Sequence, residues 1–141
     1  MECAPLGAHV LSNNPIDTIW VMKRVVTLSL HPTLEQAAVL EATMQAFNAA
    51  CQYISDVAWE RQEFERVGLH KLTYQEVRAR FGLSSQLAVH AIGVVKNSYT
   101  PDCESRHTFR PHSAVVYDER IMKLSATTVA LRTLTGRESI R

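Results

Sequence analysis

The chain has 141 residues, of which 46% are apolar and 21% charged. That length predicts one domain, and the composition excludes a disordered chain because enough apolar surface is present to form a core. No apolar run approaches the roughly 18 residues of a membrane-spanning helix. The three widely spaced cysteines do not form a disulfide framework, so we expect a cytoplasmic protein.

The net charge is only +1, but its distribution along the chain is uneven. Residues 34–65 carry six acids and one base, a net charge of −5, whereas residues 66–110 carry seven bases and three acids, a net charge of +4. This pattern predicts an acidic first helix and a basic second half. A basic surface of this size permits nucleic-acid binding, but on charge alone an ordinary solvated surface is the favoured interpretation.

The first 21 residues differ from the rest, because they contain no lysine or arginine and show no clear hydrophobic period. They also lack the basic start and long apolar centre of a signal peptide. We expect residues 1–21 to be an unstructured extension, or to result from a misassigned start codon, with Met22 as the functional start. The alternative is a genuine N-terminal arm.

A strand followed by a capped helix is predicted at residues 25–36. Over residues 25–30, Val25, Thr27 and Ser29 alternate with the apolar residues Val26, Leu28 and Leu30. This alternation indicates a short strand. Pro32 cannot donate to a sheet ladder and ends it. Thr33 and Gln36 have the spacing of a capping box, which predicts that a long helix begins there and runs to about residue 66.

Three helices are predicted, and the first has an apolar stripe at spacings of three and four residues. The stripe consists of Leu40, Met44, Phe47, Cys51, Ile54 and Ala58. Gly68 is predicted to end this helix. A capping box at residues 73–76 predicts a short second helix ending at Gly82, and Ser84 is the predicted cap of a third helix over residues 86–99.

The period changes after the third helix, where short β-branched runs alternate with turn-like residues. The predicted strands are residues 108–110, 114–117, 121–124 and 128–133, with a hairpin turn at residues 118–120. The sequence therefore predicts an α+β fold in which a small β-structure is interrupted by a helical insert.

No catalytic set is recognisable in the sequence. It contains no glycine-rich phosphate loop, no G-x-S-x-G elbow and no H-E-x-x-H pair, and its acids do not cluster as metal-dependent cleavage requires. Cys103, His107 and His112 form a string that could ligate zinc, but a fourth ligand is not obvious and three unrelated loop residues are the simpler interpretation. We expect no catalytic residue, no metal and no cofactor.

The candidate nucleic-acid-binding residues are basic side chains in the second half of the chain. They are Lys71, Arg78, Arg80, Lys96, Arg106 and Arg110. Phe109 lies between the last two and could offer a stacking face for a base. The alternative is that Phe109 belongs to the core.

Several stretches, taken in order, resemble TnpB-type transposon-encoded proteins. Residues 23–36, an apolar strand followed by His-Pro-Thr-Leu-Glu-Gln, are similar to the start of that family. The stretches at residues 47–55 and 85–99 resemble its next helices, and those from 109 to 124 and 129 to 137 resemble its following strands. The resemblance covers most of residues 22–141 and rests on order and spacing, not on a single motif.

The resemblance implies the wedge and recognition parts of an RNA-guided DNA nuclease related to type V CRISPR effectors. Residues 22–32 would be the first strand of a wedge-type β-barrel, residues 33–103 a three-helix recognition insert, and residues 104–141 the remaining strands of an incomplete barrel. Guide RNA and target DNA would be the partners, with no membrane. The family's nuclease carboxylates and zinc ribbon lie beyond this region, so the chain would be a truncated product that is not an enzyme.

The competing hypothesis is a helical protein-interaction module with no nucleic-acid role. The acidic first helix and the low net charge favour it.

We predict that the chain does not cut DNA, because phosphodiester cleavage by metal ions needs clustered carboxylates. Plasmid and single-stranded DNA incubated with the purified chain and Mg²⁺ or Mn²⁺ should remain intact on a gel. Cleavage that disappears when an acid of this chain is mutated would contradict the prediction.

Overall fold

Three helices precede a small sheet in the computed structural model, which describes residues 23–141. The elements are α1 (Leu34–Arg61), α2 (Arg66–Phe81), α3 (Ser85–Tyr99), β1 (Met122–Leu124), β2 (Val129–Arg132) and β3 (Arg137–Ile140). The strands form an open antiparallel sheet in the order β1-β2-β3. The predicted α+β class is confirmed, and the predicted extension at residues 1–21 lies outside the described residues.

Helix α1 begins at the predicted capping box. The Thr33 hydroxyl accepts from the Gln36 N–H at 3.2 Å, and the Gln36 side chain accepts from the Thr33 N–H at 3.1 Å. The helix ends at Arg61, five residues before the predicted end. Gln62 stops it by adopting a left-handed conformation with φ of 52°, and its N–H returns to the carbonyls of the last turn.

Helix α2 corrects two predictions. Gly68 does not end α1 but lies in the first turn of α2, and Thr73 does not cap a helix. Thr73 is buried within α2, where its hydroxyl donates to the Leu69 carbonyl one turn earlier at 2.6 Å. A threonine can satisfy either a cap or an i−4 carbonyl, so the capping pattern alone was not decisive. The predicted end at Gly82 is confirmed by its φ of 65°.

Helix α3 begins one residue earlier than predicted, with Ser84 as its cap at 3.4 Å from the Leu87 N–H. All three helices pack against each other around a shared apolar core. The largest buried side chains of this helical core are Phe47, Ile54, Leu69, Val77, Leu83, Leu87, Ile92, Val95 and Tyr99. The predicted α1 stripe is fully buried from Phe47 to Ala58, whereas Leu40 and Met44 are half-buried near the helix start.

The C-terminal half contains fewer strands than predicted. The runs at residues 121–124 and 128–133 correspond to β1 and β2, but those at residues 108–110 and 114–117 are not strands. Strand β3 was missed, because its sequence Arg-Glu-Ser-Ile follows a turn and lacks a β-branched run. Its only wholly buried residue is Ile140.

The predicted first wedge strand, residues 22–32, is also corrected: residues 23–33 have no regular secondary structure. Val25 is 94% exposed and Val26 73% exposed. A strand needs a ladder of successive backbone partners, whereas this segment reaches the sheet through one backbone bond, from the His31 N–H to the Arg141 carbonyl at 2.6 Å. The Gln36 side chain adds a bond to the Ser139 carbonyl at 3.0 Å, so the start of α1 covers the outer edge of β3.

A row of polar side chains on α1 holds the chain that follows α3. Asn48, Gln52 and Ser55, at spacings of four and three, lie on one side of the helix next to the apolar stripe. They bond to backbone groups of every second residue of residues 107–113, which we call the tethered segment. The bonds are Ser55 Oγ to the His107 carbonyl at 2.6 Å, the Phe109 N–H to Gln52 Oε1 at 2.9 Å, and Asn48 Nδ2 to the carbonyls of Pro111 at 3.1 Å and Ser113 at 2.8 Å.

The buried hydroxyl of Tyr99 completes this arrangement. Because the Ser55 hydroxyl donates its one proton to the His107 carbonyl, it accepts from the Tyr99 hydroxyl at 2.8 Å. The Tyr99 oxygen in turn accepts from the His107 N–H at 3.0 Å. The end of α3, the middle of α1 and the tethered segment are therefore joined by one closed set of hydrogen bonds.

Replacing Asn48 by alanine should lower the free energy of unfolding by about 2 kcal/mol, because the carbonyls of Pro111 and Ser113 both lose the buried amide that donates to them. Gln45→Ala is the control, since Gln45 is exposed on the same helix and its loss should cost less than about 0.5 kcal/mol. Urea unfolding measures both. Equal effects of the two substitutions would show that the Asn48 bonds do not hold the segment.

Candidate nucleic-acid interface

The six predicted basic residues lie in three places. Lys71, Arg78 and Arg80 are on α2, Lys96 is in the last turn of α3, and the other two belong to the chain after α3, with Arg106 just before the tethered segment and Arg110 within it. Lys96 is half-buried and the other five are exposed. The structure therefore does not gather them into one patch.

Lys71 and Arg78 share one face of α2, because seven residues make almost two complete turns. The buried residues of α2 are Leu69, Thr73 and Val77, and Arg78 lies about half a turn from Leu69 in angle, on the opposite side. Within residues 23–141 neither Lys71 nor Arg78 forms an ion pair. We call these two residues the α2 basic face.

Arg80 points to the other side of α2. Its guanidinium carbon is 5.1 Å from the centroid of the Tyr53 ring on α1 and 5.3 Å from that of Phe81. Those two rings are themselves 6.0 Å apart. Arg80 therefore contributes a cation–π contact between α1 and the end of α2, and it lies apart from the α2 basic face.

Arg106 is paired with an acid of α1. Its Nη2 lies 2.5 Å from Asp56 Oδ1 and its Nε 3.2 Å from the same oxygen. This hydrogen bond raises the pKa of the Arg106 guanidinium above its ordinary value. Asp56 also accepts from Gln52 at 2.8 Å, so the carboxylate joins Arg106 to the polar row of α1 and offsets its charge.

The histidines near Cys103 have separate partners. His107 Nε2 lies 3.7 Å from Asp102 Oδ2, and its ring centroid is 4.3 Å from that of Tyr99, whereas His112 Nε2 is 3.4 Å from Glu41 Oε1. Across the described part of the chain, no group of three or more His, Cys, Asp or Glu side chains could hold a metal ion.

Cys51 is enclosed in the helical core. Its burial raises the pKa of the thiol to about 12. Because the thiolate is the nucleophilic form, Cys51 acts as a small apolar core residue at neutral pH.

One polar cluster was not foreseen from the sequence. Asp118 Oδ2 accepts from Gln86 at 2.7 Å and lies 3.1 Å from His90 Nε2, which ties α3 to the turn before β1. Partial desolvation raises the pKa of Asp118, but hydrogen bonds from the Arg120 N–H, Gln86 and His90 outweigh it, so the pKa is lowered. The turn at residues 118–120 was predicted, but its contact with α3 was not. The four-residue spacing of Gln86 and His90 was the only feature of the sequence that could have indicated that contact.

The interpretation of Phe109 as a core residue is confirmed, and its role as a stacking face stays a prediction. Phe109 is half-buried and packs against the helical core, and it also lines a groove between the tethered segment and α1. Arg110, next to it, is exposed.

No family model, curated protein or solved structure matches this chain. No helix within residues 23–141 is both long enough and apolar enough to cross a membrane. The resemblance to TnpB-type proteins therefore stays a prediction.

The two arginines at the end of α2 should differ in their effect on stability. Arg80→Ala should lower the free energy of unfolding by about 0.5–1 kcal/mol, because the contact with the Tyr53 and Phe81 rings is lost. Arg78→Ala should change it by less than about 0.5 kcal/mol, since that side chain is exposed and its hydrogen bond from Nε to the Leu83 carbonyl is long, at 3.4 Å. Urea unfolding of the two single variants makes the comparison, and a larger loss for Arg78→Ala would contradict the assignment.

Proposed function

We propose that the chain binds the phosphate backbone of an RNA or RNA–DNA duplex without cleaving it. The observation that carries the proposal is the α2 basic face, where Lys71 and Arg78 are exposed and, in the described part of the chain, form no ion pair. Unpaired cations of this kind can release the counterions of a nucleic acid, which is the main source of non-specific affinity.

Charge segregation supports the same proposal. The −5 net charge of residues 34–65 belongs mostly to α1, whereas the bases of α2 lie in the stretch with a net charge of +4. A duplex would therefore meet the α2 side of the bundle and be repelled by the acidic ends of α1, whose central residues 42–55 carry no charged side chain. Arg80 and Arg106 contribute less to this binding, because their guanidinium groups already contact aromatic rings and Asp56.

The order of elements supports the finer assignment to the wedge and recognition parts of a TnpB-type protein. Three helices precede a small open sheet, which is consistent with a helical lobe followed by an incomplete barrel, although residues 23–33 do not form the strand that would precede an insert. In this proposal guide RNA and target DNA are the partners, base pairing reads the sequence, and the helices contact the backbone.

A protein-interaction module is the second candidate, and one observation favours it. Four large apolar residues at the start of the described chain are exposed: Val25, Val26, Leu28 and Leu34. An exposed apolar segment with strand-like composition can add to the sheet edge of a partner protein.

Binding of an RNA–DNA duplex should be weak, with Kd roughly micromolar or higher at physiological salt, and should weaken steeply as salt rises. The double substitution Lys71→Ala and Arg78→Ala should reduce the slope of log K against log salt by about one to two units. A fluorescence anisotropy titration over a range of salt concentrations measures both quantities.

The matched control is Lys123→Ala with Arg132→Ala, which removes the same charge from exposed positions on the sheet. It should leave the salt slope unchanged. If binding shows no salt dependence, or if both double variants lose the same affinity, the proposal fails and the protein-interaction module is favoured.

A further inference from the structure

A groove of about 550 Å³ runs between α1 and the tethered segment. One wall is a face of α1 whose lining residues recur at spacings of four and three. The other wall is formed by an aromatic and a proline side chain of the tethered segment. The main lining residues are Gln45, Ala49, Gln52, Phe109, Pro111 and His112. The groove is mostly apolar in its walls, with amide and imidazole groups at its rim.

The groove is held in a fixed shape by bonds already described. Asn48, at its base, donates to the carbonyls of Pro111 and Ser113, and Gln52 accepts from the Phe109 N–H. These bonds fix the segment's distance from α1, so the gap is formed before any ligand arrives. A preformed site avoids the entropy of ordering a loop on binding.

The chemistry of the walls suits a flat heteroaromatic ligand. Phe109 offers a ring that contacts no other aromatic ring within residues 23–141, and bases stack on such rings regardless of sequence. The side-chain amide of Gln45 at the rim can bond to the edge of a base.

The charged residues near the groove set the direction in which a bound nucleic-acid strand would run. Arg110 is exposed and follows Phe109 in the chain, outside the lining of the groove, so we expect its side chain to reach the phosphate beside a stacked base. At the other end His112 lies beside Glu41, whose carboxylate would repel a phosphate. The backbone of a bound strand is therefore expected on the Arg110 side.

We propose that this groove is a binding subsite for an unpaired nucleotide, with the base stacked on Phe109 and its phosphate near Arg110. The inference rests on the proposed function and extends it, because it assigns single-stranded nucleic acid to α1 and the tethered segment while the duplex contacts α2. When a single strand of nucleic acid extends from the end of a duplex, its unpaired nucleotide could lie in the groove while the duplex contacts α2.

The test compares a fluorescently labelled oligouridine with a blunt RNA–DNA duplex in anisotropy titrations. Phe109→Leu should weaken oligouridine binding by about fivefold or more, because stacking on the ring is lost. It should change duplex binding by less than about twofold. Phe109→Tyr, which keeps an aromatic ring, should retain oligouridine binding, and Arg110→Gln should reduce its salt dependence.

Two further variants separate stacking from misfolding. Ala49→Leu fills the groove from an exposed position on α1 and should weaken oligouridine binding without a loss of thermal stability. Phe81→Leu is the matched change at a half-buried phenylalanine that contacts Tyr53 and does not line the groove, and it should leave oligouridine binding unchanged.

The outcomes distinguish this inference from the proposed function. If duplex binding is salt-sensitive but oligouridine binding is unchanged by both Phe109→Leu and Ala49→Leu, the subsite is overturned and the proposed function stands. No binding of either ligand would overturn both. Tight binding of an aromatic or proline-rich peptide in the groove, with no oligouridine bound, would also overturn the nucleotide subsite.

Discussion

Asn48, Gln52 and Ser55, the polar row of α1, bond to the backbone of the chain that follows α3. The chain after α3 forms no strand until β1, so its backbone groups need partners other than a sheet. Side chains of α1 supply them at every second residue of the tethered segment. Because an unmet buried backbone group costs about as much as a lost hydrogen bond, this row decides where the irregular half of the chain lies.

The same constraint places the functional candidates. Fixing the tethered segment along α1 opens the groove beside Phe109 and brings Arg106 to Asp56. It also occupies the polar side of α1, so the α2 basic face remains as an exposed cationic surface on another part of the bundle. One face of the molecule is thus used for stability, and another is left available for a charged partner.

Local signals predicted the helices better than the sheet. The Thr33 cap, the Ser84 cap and the apolar stripe from Phe47 to Ala58 depend on neighbours within a few residues, and the sequence displays them directly. The runs at residues 108–110 and 114–117 have strand composition but form no strands, and in the first of them the Phe109 N–H bonds to the side chain of Gln52, 57 residues away, which no local pattern reveals. For the candidate site, helical spacing alone separates Arg80 from the α2 basic face, whereas the Arg106–Asp56 pair and the groove depend on tertiary contacts.

The most direct test of the central claim is to map, by NMR, the backbone amides whose chemical shifts change when an RNA–DNA duplex is added at low salt. We expect the changes to concentrate on the exposed side of α2 around Lys71 and Arg78 and to disappear as salt is raised. Changes confined to β1, β2 and residues 23–34, or changes indifferent to salt, would contradict the claim.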